Sequence, residues 1–538
     1  MSELMNGNLQ EAKEEMRALY GENKPITDGN YDKSLAVRCV NGTFVGRKTG
    51  NVIAYKGIPF VGRQPVGELR WKAPVDCVPD DGVYEAYYNG KSPCQVENPE
   101  EPASVYVQGE DCLYLNIWKA EEETGGETGC ASGEKKPVMV WIHGGAFELD
   151  GTVDPLYECH NFVKENPKVI VVSIAYRLGV LGFFHLSHLP DGKDYPDAQN
   201  LGLMDQVMAL KWVHENIAGF GGDPDNVTIW GESAGAASVS MLPLIDGAQQ
   251  YFKRVIAQSG APSQMRSEEE AIARTQELMD ALGCETVSDL QKVDARDLAE
   301  TAGQLWGFYT VLEICLLPER DGTYLPLDPF DAYAKGAAKD IAFLQGCNKD
   351  EMDVFAFAFG EENWKAWCAD RKARILAKLT EDEKKLVESF EDDSRLIEQN
   401  MFVAPQIRLS EEQTRGGGKS YTYLFTPESV YPGVGCGHAS ELATVFALPE
   451  YNELAGREFD ETFAKTMRKM WVQFAKTGNP SLSAEISPDG KAKAWPLYDL
   501  EDRNVMILDE FNIHPEKESE RKIVDWDRTY FLTNYYTI

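Results

Sequence analysis

Short apolar runs alternate with segments of helical periodicity through the middle of this 538-residue chain. The apolar runs have the length of buried strands, and they occupy residues 137–142 (PVMVWI), 169–175, 226–230 (NVTIW), 254–258 (RVIAQ) and 341–344. Helical spacing of apolar residues occurs over 200–220, 268–282, 382–398 and 461–476. Because strands that alternate with helices pair through parallel crossovers, the pattern predicts an α/β fold, with a large, mostly parallel central sheet flanked by helices on both faces.

The N-terminal part of the chain has a different pattern. Residues 35–118 contain strand-like segments broken by Gly and Pro turns, and residues 121–136 are polar and Gly-rich, as is typical of a surface loop. Residues 1–33 form an N-terminal extension, in which the apolar residues at 9, 12, 16 and 19 have the spacing of a short amphipathic helix. Length alone, at about 150 residues per domain, gives three or four domains.

The chain is strongly acidic. It has 53 Lys and Arg against 87 Asp and Glu, a formal net charge of −34. Nucleic-acid recognition needs clustered basic residues, and anionic membranes attract them, so the charge argues against both partners. It is typical of a solvated surface.

The termini and the cysteines bear on cellular location. The opening MSELMNGNLQEAKEEM has no basic region leading into an apolar run, so no secretory signal peptide is expected. No stretch reaches the ~18 apolar residues of a transmembrane helix. The 11 cysteines include no C-x-x-C pair. We therefore expect reduced, mostly buried thiols and a cytoplasmic protein.

The sequence Gly231-Glu232-Ser233-Ala234-Gly235 is the only G-x-S-x-G in the chain. It directly follows the predicted strand NVTIW and precedes small residues suited to a tightly packed helix. A strand, a sharp turn and a helix are the context of a nucleophile elbow, in which a strained backbone presents the serine hydroxyl. Ser233 is therefore the candidate nucleophile.

A Gly-rich loop, His143-Gly144-Gly145-Ala146-Phe147, follows the predicted strand PVMVWI. Glycines let neighbouring N–H groups point at one spot, and such donors stabilise the oxyanion of a tetrahedral intermediate by several kcal/mol. The N–H of Ala234, directly after the candidate serine, would complete this oxyanion hole.

A serine hydroxyl needs a base, and histidine titrates in the useful range. Nucleophile-elbow enzymes have the chain order serine, acid, histidine, and of the seven histidines only His438 and His514 follow Ser233. His438 lies directly after a Gly-rich turn, whereas His514 lies in a charged stretch near the C-terminus. His438 is therefore the candidate base.

The acid is expected between Ser233 and His438. The segment 346–353 (GCNKDEMD) follows an apolar run and offers three carboxylates. The pattern alone leaves Asp350, Glu351 and Asp353 open.

Taken together, these motifs resemble the type-B carboxylesterase/lipase family of α/β-hydrolases, which includes carboxylesterases, cholinesterases, bacterial p-nitrobenzyl esterases and fungal lipases. The resemblance spans about residues 35 to 500 in the family's order. The matching stretches are 44–71, EDCLYLNIW (110–118), PVMVWIHGGAF (137–147), 200–238, AQSGAP (257–262), GCNKDE (346–351), HASELATVF (438–446) and WVQFAKTGNPS (471–481).

The resemblance implies a single α/β-hydrolase domain over residues 34–538. It also implies a triad of Ser233, Glu351 and His438, with oxyanion donors at Gly145, Ala146 and Ala234. Two departures stand out, because Ala146 replaces a common third glycine and Met352 replaces the glycine usual after the acid. Family members often have a disulfide at the positions of Cys94 and Cys112. Without a signal peptide, we expect free thiols there.

The chemistry implied is ester hydrolysis through an acyl-enzyme on Ser233, with no metal or cofactor and a small-molecule ester as the partner. Residues 95–110 contain Tyr106 as their only aromatic, which gives no support for a choline site, and their short, acidic character argues against a lipid-docking lid. We therefore expect a carboxylesterase for soluble esters. The alternatives are an aryl (cinnamoyl-type) ester, amide or carbamate hydrolase with the same triad, and a non-catalytic adhesion-type protein.

Overall fold

A computed structural model of the protein describes residues 20–96, 107–121, 135–307, 314–388, 390, 392–448, 460–517 and 533. These residues form two compact units. The first contains the described residues up to Thr228, together with 250–252 and 265–327, and the second contains 229–249, 253–264 and the described residues from 328 onward. The division into an extension over 1–33 and one domain over 34–538 stays a prediction.

The predicted N-terminal helix lies largely outside the described residues. Where the structure describes this extension, Tyr20 forms a single bridge with Asn89 and Pro25 forms one with Tyr84. These two bridges join the described part of the extension to residues 84–89. The predicted loop over 121–136 and the segment 95–110 also lie mostly outside the described ranges.

Strands of the first unit form a small sheet and part of a larger one. The strands are β1 (Ala36–Cys39), β2 (Gly42–Val45), β3 (Arg47–Thr49), β4 (Val52–Pro59), β5 (Val83–Glu85), β6 (Tyr114–Ala120), β7 (Lys136–Ile142), β8 (Ile170–Ile174) and the first part of β9 (Gly222–Glu232). The small sheet has the order β1-β2-β5, and the larger one contains β3-β4-β6-β8-β7. Of these five strands, only β7 and β8 pair in parallel, while β3 with β4, β4 with β6 and β6 with β8 pair antiparallel. All five residues of β8 are buried, as expected of a strand covered on both faces.

The second unit begins with the last residues of β9 and continues the alternating pattern. Its further strands are β10 (Arg254–Gln258), β11 (Ala342–Asn348), β12 (Lys419–Phe425), β13 (Asn504–Leu508) and β14 (His514–Lys517). Strands β10 to β13 pair in parallel in chain order, and β14 closes this edge antiparallel to β13. The predicted strands at 137–142, 169–175, 226–230 and 254–258 are therefore confirmed, and the apolar run 341–344 leads into β11.

The helices follow the strands along the chain. They are α1 (His160–Glu165), α2 (Gly179–Gly182), α3 (Leu201–Asn216), α4 (Ala234–Met241), α5 (Glu268–Leu282), α6 (Val287–Leu290), α7 (Ala295–Trp306), α8 (Pro329–Ala334), α9 (Asp353–Phe359), α10 (Glu361–Lys378), α11 (Glu381–Glu388), α12 (Asp393–Glu398), α13 (Ala404–Arg415), α14 (Leu442–Phe446) and α15 (Glu461–Thr477). The predictions over 200–220, 268–282 and 461–476 are confirmed. A capping box of Ser267 and Glu270 begins α5, and Gly283 at φ 65° ends it.

The prediction of one helix over 382–398 is wrong. Two helices, α11 and α12, occupy this range. The side chain of Asp392 accepts a hydrogen bond from the Ser394 N–H, so it caps a new helix there. A π-helical turn, Gln399–Val403, then joins α12 to α13.

Two further properties concern the described part of the chain. None of its helices combines the length and apolar character needed to span a bilayer. Its ten cysteines, Cys94 and Cys112 among them, are free thiols.

Candidate active site

Ser233 is the single residue that links β9 to α4 in the second unit. Its backbone has φ 56° and ψ −122°, a conformation that costs a non-glycine residue about 1–3 kcal/mol. The Ser233 N–H donates to the carbonyl oxygen of Gln258 at 2.9 Å, and its own carbonyl accepts from the Ala237 N–H at 2.9 Å. These bonds on either side hold the strained residue, and they confirm the predicted strand–turn–helix.

Position 260 accommodates only glycine, because the backbone of the Ser233 turn lies very close to it. A Cβ on Gly260 would lie 2.3 Å from the Ser233 carbonyl oxygen and 2.9 Å from the Ala236 Cβ. Any other residue would therefore push the turn out of place. This glycine lies in the motif AQSGAP, but no local pattern in the sequence indicates its role.

Glu351 and His438 lie in direct contact in the second unit. Oε2 of Glu351 is 2.6 Å from Nδ1 of His438, and the His438 N–H donates to the Glu351 carbonyl oxygen at 3.1 Å. The other carboxylate oxygen, Oε1, accepts from the Ser259 hydroxyl at 2.6 Å and from the Asn348 N–H at 2.7 Å. Three hydrogen bonds thus fix a fully buried carboxylate against one nitrogen of the imidazole.

The other two candidate acids point elsewhere. Asp350 contacts Arg395 at 3.0 Å and accepts from the Cys436 N–H at 3.2 Å. Asp353 begins α9 and lies 3.8 Å from Arg395. Of the three carboxylates that the sequence left open, the structure brings only Glu351 to His438.

The second nitrogen of His438 faces a different carboxylate. Nε2 lies 3.1 Å from Oε1 of Glu232, the residue directly before Ser233. Both residues are described, and no hydrogen bond joins the Ser233 hydroxyl to His438. The imidazole therefore lies beside the turn that contains Ser233, and its Nε2 faces Glu232 and not the serine hydroxyl.

Opposing effects determine the pKa of His438. Burial disfavours the imidazolium and lowers the pKa, but the carboxylates of Glu232, Glu351 and Glu441 outweigh it and raise the pKa to about 9. Two aromatic rings contribute to that burial, since the Phe402 and Phe355 centroids lie 4.6 and 5.4 Å from the imidazole. The three carboxylates therefore favour the imidazolium form of His438.

A buried polar network lies behind these residues. Glu441 accepts from the Gln258 amide at 2.9 Å and from the Asn348 amide at 2.7 Å, and burial raises its pKa. The Trp471 indole N–H donates to the Gln258 oxygen at 3.0 Å. Gln258 also supplies the carbonyl that holds Ser233, so this network connects to the elbow. All four residues lie in family motifs of the sequence, but no local pattern predicts that they bond to one another.

In the first unit, the Gly-rich loop after β7 adopts an unusual backbone. Gly145, Ala146 and Phe147 have φ values of 87°, 56° and 62°. The Gly145 carbonyl accepts from the Glu148 and Leu149 N–H groups, which curls the loop. Within the described ranges, the N–H groups of Gly145 and Ala146 donate to no protein acceptor, as expected of donors kept for an anion.

Two aromatic residues support the loop's start. The His143 ring stacks on Tyr176 at 4.6 Å, and the Tyr176 hydroxyl donates to the His143 carbonyl at 2.9 Å. Burial lowers the pKa of His143 to about 4, against a smaller effect of the Gly144 carbonyl that raises it. His143 is thus neutral and structural.

The third oxyanion candidate, Ala234, lies in the second unit. Ala234 begins α4, so its N–H lies in the first turn, outside the helical hydrogen-bond ladder.

Across the described residues, no group of three or more His, Cys, Asp and Glu is arranged to hold a metal ion.

Known proteins resemble this chain over most of its length. The model of the carboxylesterase family matches residues 33–523. The para-nitrobenzyl esterase of Bacillus subtilis is 34% identical over 500 residues, which cover 89% of this chain and 96% of that protein. The cholinesterase of Mus musculus is 30% identical, over 85% of this chain and 80% of that protein.

Solved structures agree with these relatives. A carboxylesterase from Geobacillus stearothermophilus superposes with a TM-score of 0.76 at 34% identity, covering 91% of this chain and 99% of that one. A thermophilic p-nitrobenzyl esterase gives 0.77 at 31% identity, covering 92% and 99%. These likenesses confirm the predicted α/β-hydrolase fold, with its large, mostly parallel sheet flanked by helices. The chain therefore belongs to the carboxylesterase family and is a serine hydrolase that acts on carboxylic esters.

Proposed function

We propose that Ser233, His438 and Glu351 are the nucleophile, base and orienting acid of this hydrolase. The observation that carries the proposal is the 2.6 Å contact between Glu351 and Nδ1 of His438, with Nε2 turned to Glu232, the neighbour of the strained Ser233. Glu351 and His438 are 87 positions apart in the sequence, so the fold and not chain proximity brings them into contact.

The proposed reaction begins when neutral His438 takes the proton of the Ser233 hydroxyl. Ser233 Oγ then attacks the ester carbonyl, and His438 protonates the leaving alkoxide. Water activated by His438 hydrolyses the acyl-enzyme in the second half-reaction. Glu351 stays ionised, fixes the imidazole tautomer and stabilises the imidazolium.

The negative charge of the tetrahedral intermediates falls on the former carbonyl oxygen. We propose the N–H groups of Gly145, Ala146 and Ala234 as its donors. The left-handed conformation of Gly145 and Ala146 supports this assignment. Ala146 keeps a backbone N–H, so the loss of the usual third glycine does not remove a donor. None of these steps calls for a metal or an organic cofactor.

The resting contact between His438 and Glu232 has a functional consequence. A protonated imidazole paired with Glu232 cannot accept the serine proton. Under this proposal the enzyme becomes competent when His438 loses its proton and its Nε2 turns from Glu232 to the hydroxyl of Ser233.

We propose small, soluble carboxylic esters as the substrates. Relatives named for p-nitrobenzyl esters support this, as does the absence of a Trp from residues 95–110 of the sequence. The acidic charge continues to argue against nucleic-acid and anionic membrane partners. Aryl esters, amides and carbamates stay as alternatives for the same triad, and a cytoplasmic location stays a prediction.

A series of p-nitrophenyl esters from acetate to palmitate tests the proposal. Ser233→Ala should abolish multiple turnover of every ester, whereas Ser288→Ala, a change at an exposed serine bonded to Asp191, should leave turnover unchanged. A matched panel of esters and amides separates the alternatives, since amides need stronger leaving-group protonation. Full activity in Ser233→Ala would overturn the triad.

A further inference from the structure

A second histidine–carboxylate pair lies in the first unit, outside the candidate active site. Nδ1 of His185 lies 2.8 Å from Oε2 of Glu319, and both residues are buried, at 3% and 1% exposure. The other ring nitrogen, Nε2, lies 3.0 Å from the hydroxyl oxygen of Ser187, which is exposed to solvent. A serine, a histidine and a carboxylate thus form one hydrogen-bonded chain that ends at the surface.

The backbone on either side of the pair is firmly held. The hydroxyl of Thr275 donates to the His185 carbonyl at 2.8 Å. Asn200 brackets Glu319, since its side chain accepts from the Glu319 N–H at 2.9 Å and donates to the Glu319 carbonyl at 3.0 Å. The fold therefore holds the hydrogen-bonded residues Ser187, His185 and Glu319 in their relative positions.

A buried cation accompanies Glu319. The guanidinium of Arg266 has its pKa lowered to about 10 by burial, while Glu319 acts in the opposite direction and raises it. The backbones of the two residues also form a parallel bridge. The Arg266 guanidinium and the Glu319 carboxylate therefore interact electrostatically.

The contacts of Glu319 at Nδ1 and Ser187 at Nε2 fit one tautomer of the His185 ring. In the tautomer with the ring proton on Nδ1, His185 donates to Glu319 and Nε2 presents a lone pair to Ser187. The Ser187 hydroxyl then donates to Nε2. This is the arrangement in which an imidazole raises the nucleophilicity of a serine.

We propose that Ser187 is a second nucleophilic serine, which acyl and phosphonyl donors with good leaving groups modify from solvent. With a fluorophosphonate, Oγ forms a bond to phosphorus and the P–F bond breaks. Fluoride leaves with the bonding electrons, and His185 Nε2 takes the hydroxyl proton and later releases it to water. Because the serine is exposed, water solvates the developing charge, so we expect a slowly formed adduct more than rapid turnover.

The experiment uses the full chain with Ser233→Ala, which removes the proposed primary nucleophile. After timed exposure to a fluorophosphonate, a tryptic digest separates two useful peptides. Peptide 178–193 has Ser187 as its only serine, and peptide 275–292 has Ser288 as its only serine. Ser288 is also exposed and bonded to a carboxylate but has no histidine partner, so it is the matched control.

We expect Ser187 to be labelled about 100-fold faster than Ser288, the scale of a general-base contribution. His185→Gln should remove that difference, with thermal unfolding as the check on its fold. Equal rates for the two serines would overturn the proposal, and so would labelling of His188 in place of Ser187. Fast Ser187 labelling that persists in a folded His185→Gln would overturn it as well. If His185→Gln does not fold, the comparison of the two serines still decides. Ser233 labelling in the unmodified chain tests the proposed triad separately.

Discussion

Nε2 of His438 lies 3.1 Å from the carboxylate of Glu232, so the candidate base is paired with the residue next to the candidate nucleophile. This pair has a measurable consequence. The pKa of His438 is raised to about 9, which means that the neutral, competent base becomes more abundant as pH rises toward 9. We expect kcat/KM for p-nitrophenyl acetate to rise over this range, since kcat/KM reports the free enzyme.

Glu232→Gln tests the origin of that rise. Removal of the negative charge should lower the pKa of His438 and move the acidic limb of the pH profile to lower pH. Glu158→Gln is a control in the first unit, because Glu158 pairs with Lys56 and not with the imidazole. An acidic limb that stays in place in Glu232→Gln would show that the pair does not control the base.

Phe402→Ala should shift the acidic limb of the pH profile to higher pH, opposite to the shift expected for Glu232→Gln. The Phe402 ring packs 4.6 Å from the imidazole and is presented by the π-helical turn Gln399–Val403. Burial lowers the pKa of His438, so loss of the ring should raise that pKa and move the limb to higher pH.

The Phe402 substitution also removes a buried side chain, which costs about 3–5 kcal/mol of unfolding free energy. Phe402→Leu retains most of the apolar cover and should leave the pH profile close to that of the unmodified chain. A denaturant titration of each variant separates the loss of stability from the pH effect. A limb that moves to lower pH in Phe402→Ala would contradict the prediction.

Glu351→Gln and Asp353→Asn distinguish the candidate acids by function. Glu351 contacts His438 at 2.6 Å, so its amide variant should lower kcat by about 10³–10⁴ because it favours the wrong imidazole tautomer. Asp353 contacts Arg395 and not His438, so its variant should keep kcat within a few-fold. Steady-state kinetics on one soluble ester is the measurement, and equal losses in the two variants would contradict the assignment.

Local patterns in the sequence were enough to predict much of the fold. The strand before Ser233 and the small residues after it predicted the elbow, because both depend on neighbours within a few residues. The capping box at Ser267 likewise set the start of α5. The error over 382–398 has a local cause too, since the cap at Asp392 lay inside an otherwise helical pattern.

Contacts between distant residues could not be predicted in the same way. No periodicity connects Glu232 to His438, which lie about two hundred positions apart, or Ser259 to Glu351. The pattern left Asp350, Glu351 and Asp353 open because they lie only one to three positions apart, and the turn after β11 decides which carboxylate faces the imidazole. The family resemblance indicated Glu351, and only the folded backbone gives the physical reason.

Gly260→Ala tests how tightly the elbow is packed. The added Cβ would lie 2.3 Å from the Ser233 carbonyl oxygen, closer than any real contact, so the loop or the elbow must move. We expect a loss of several kcal/mol in unfolding free energy, since overpacking costs typically about 1–3 kcal/mol and backbone atoms give way less easily than side chains. The displaced serine should also lower kcat by about 100-fold, the scale of an ångström misplacement.

Gly283→Ala is the control for the general cost of replacing a glycine. Gly283 ends α5 at φ 65° with open space around it, so its variant adds left-handed strain of about 1–2 kcal/mol without any clash. Unfolding curves and ester kinetics on both variants separate the two effects. A Gly260→Ala variant that matched Gly283→Ala in stability and kept full kcat would show that the loop can move without disturbing Ser233.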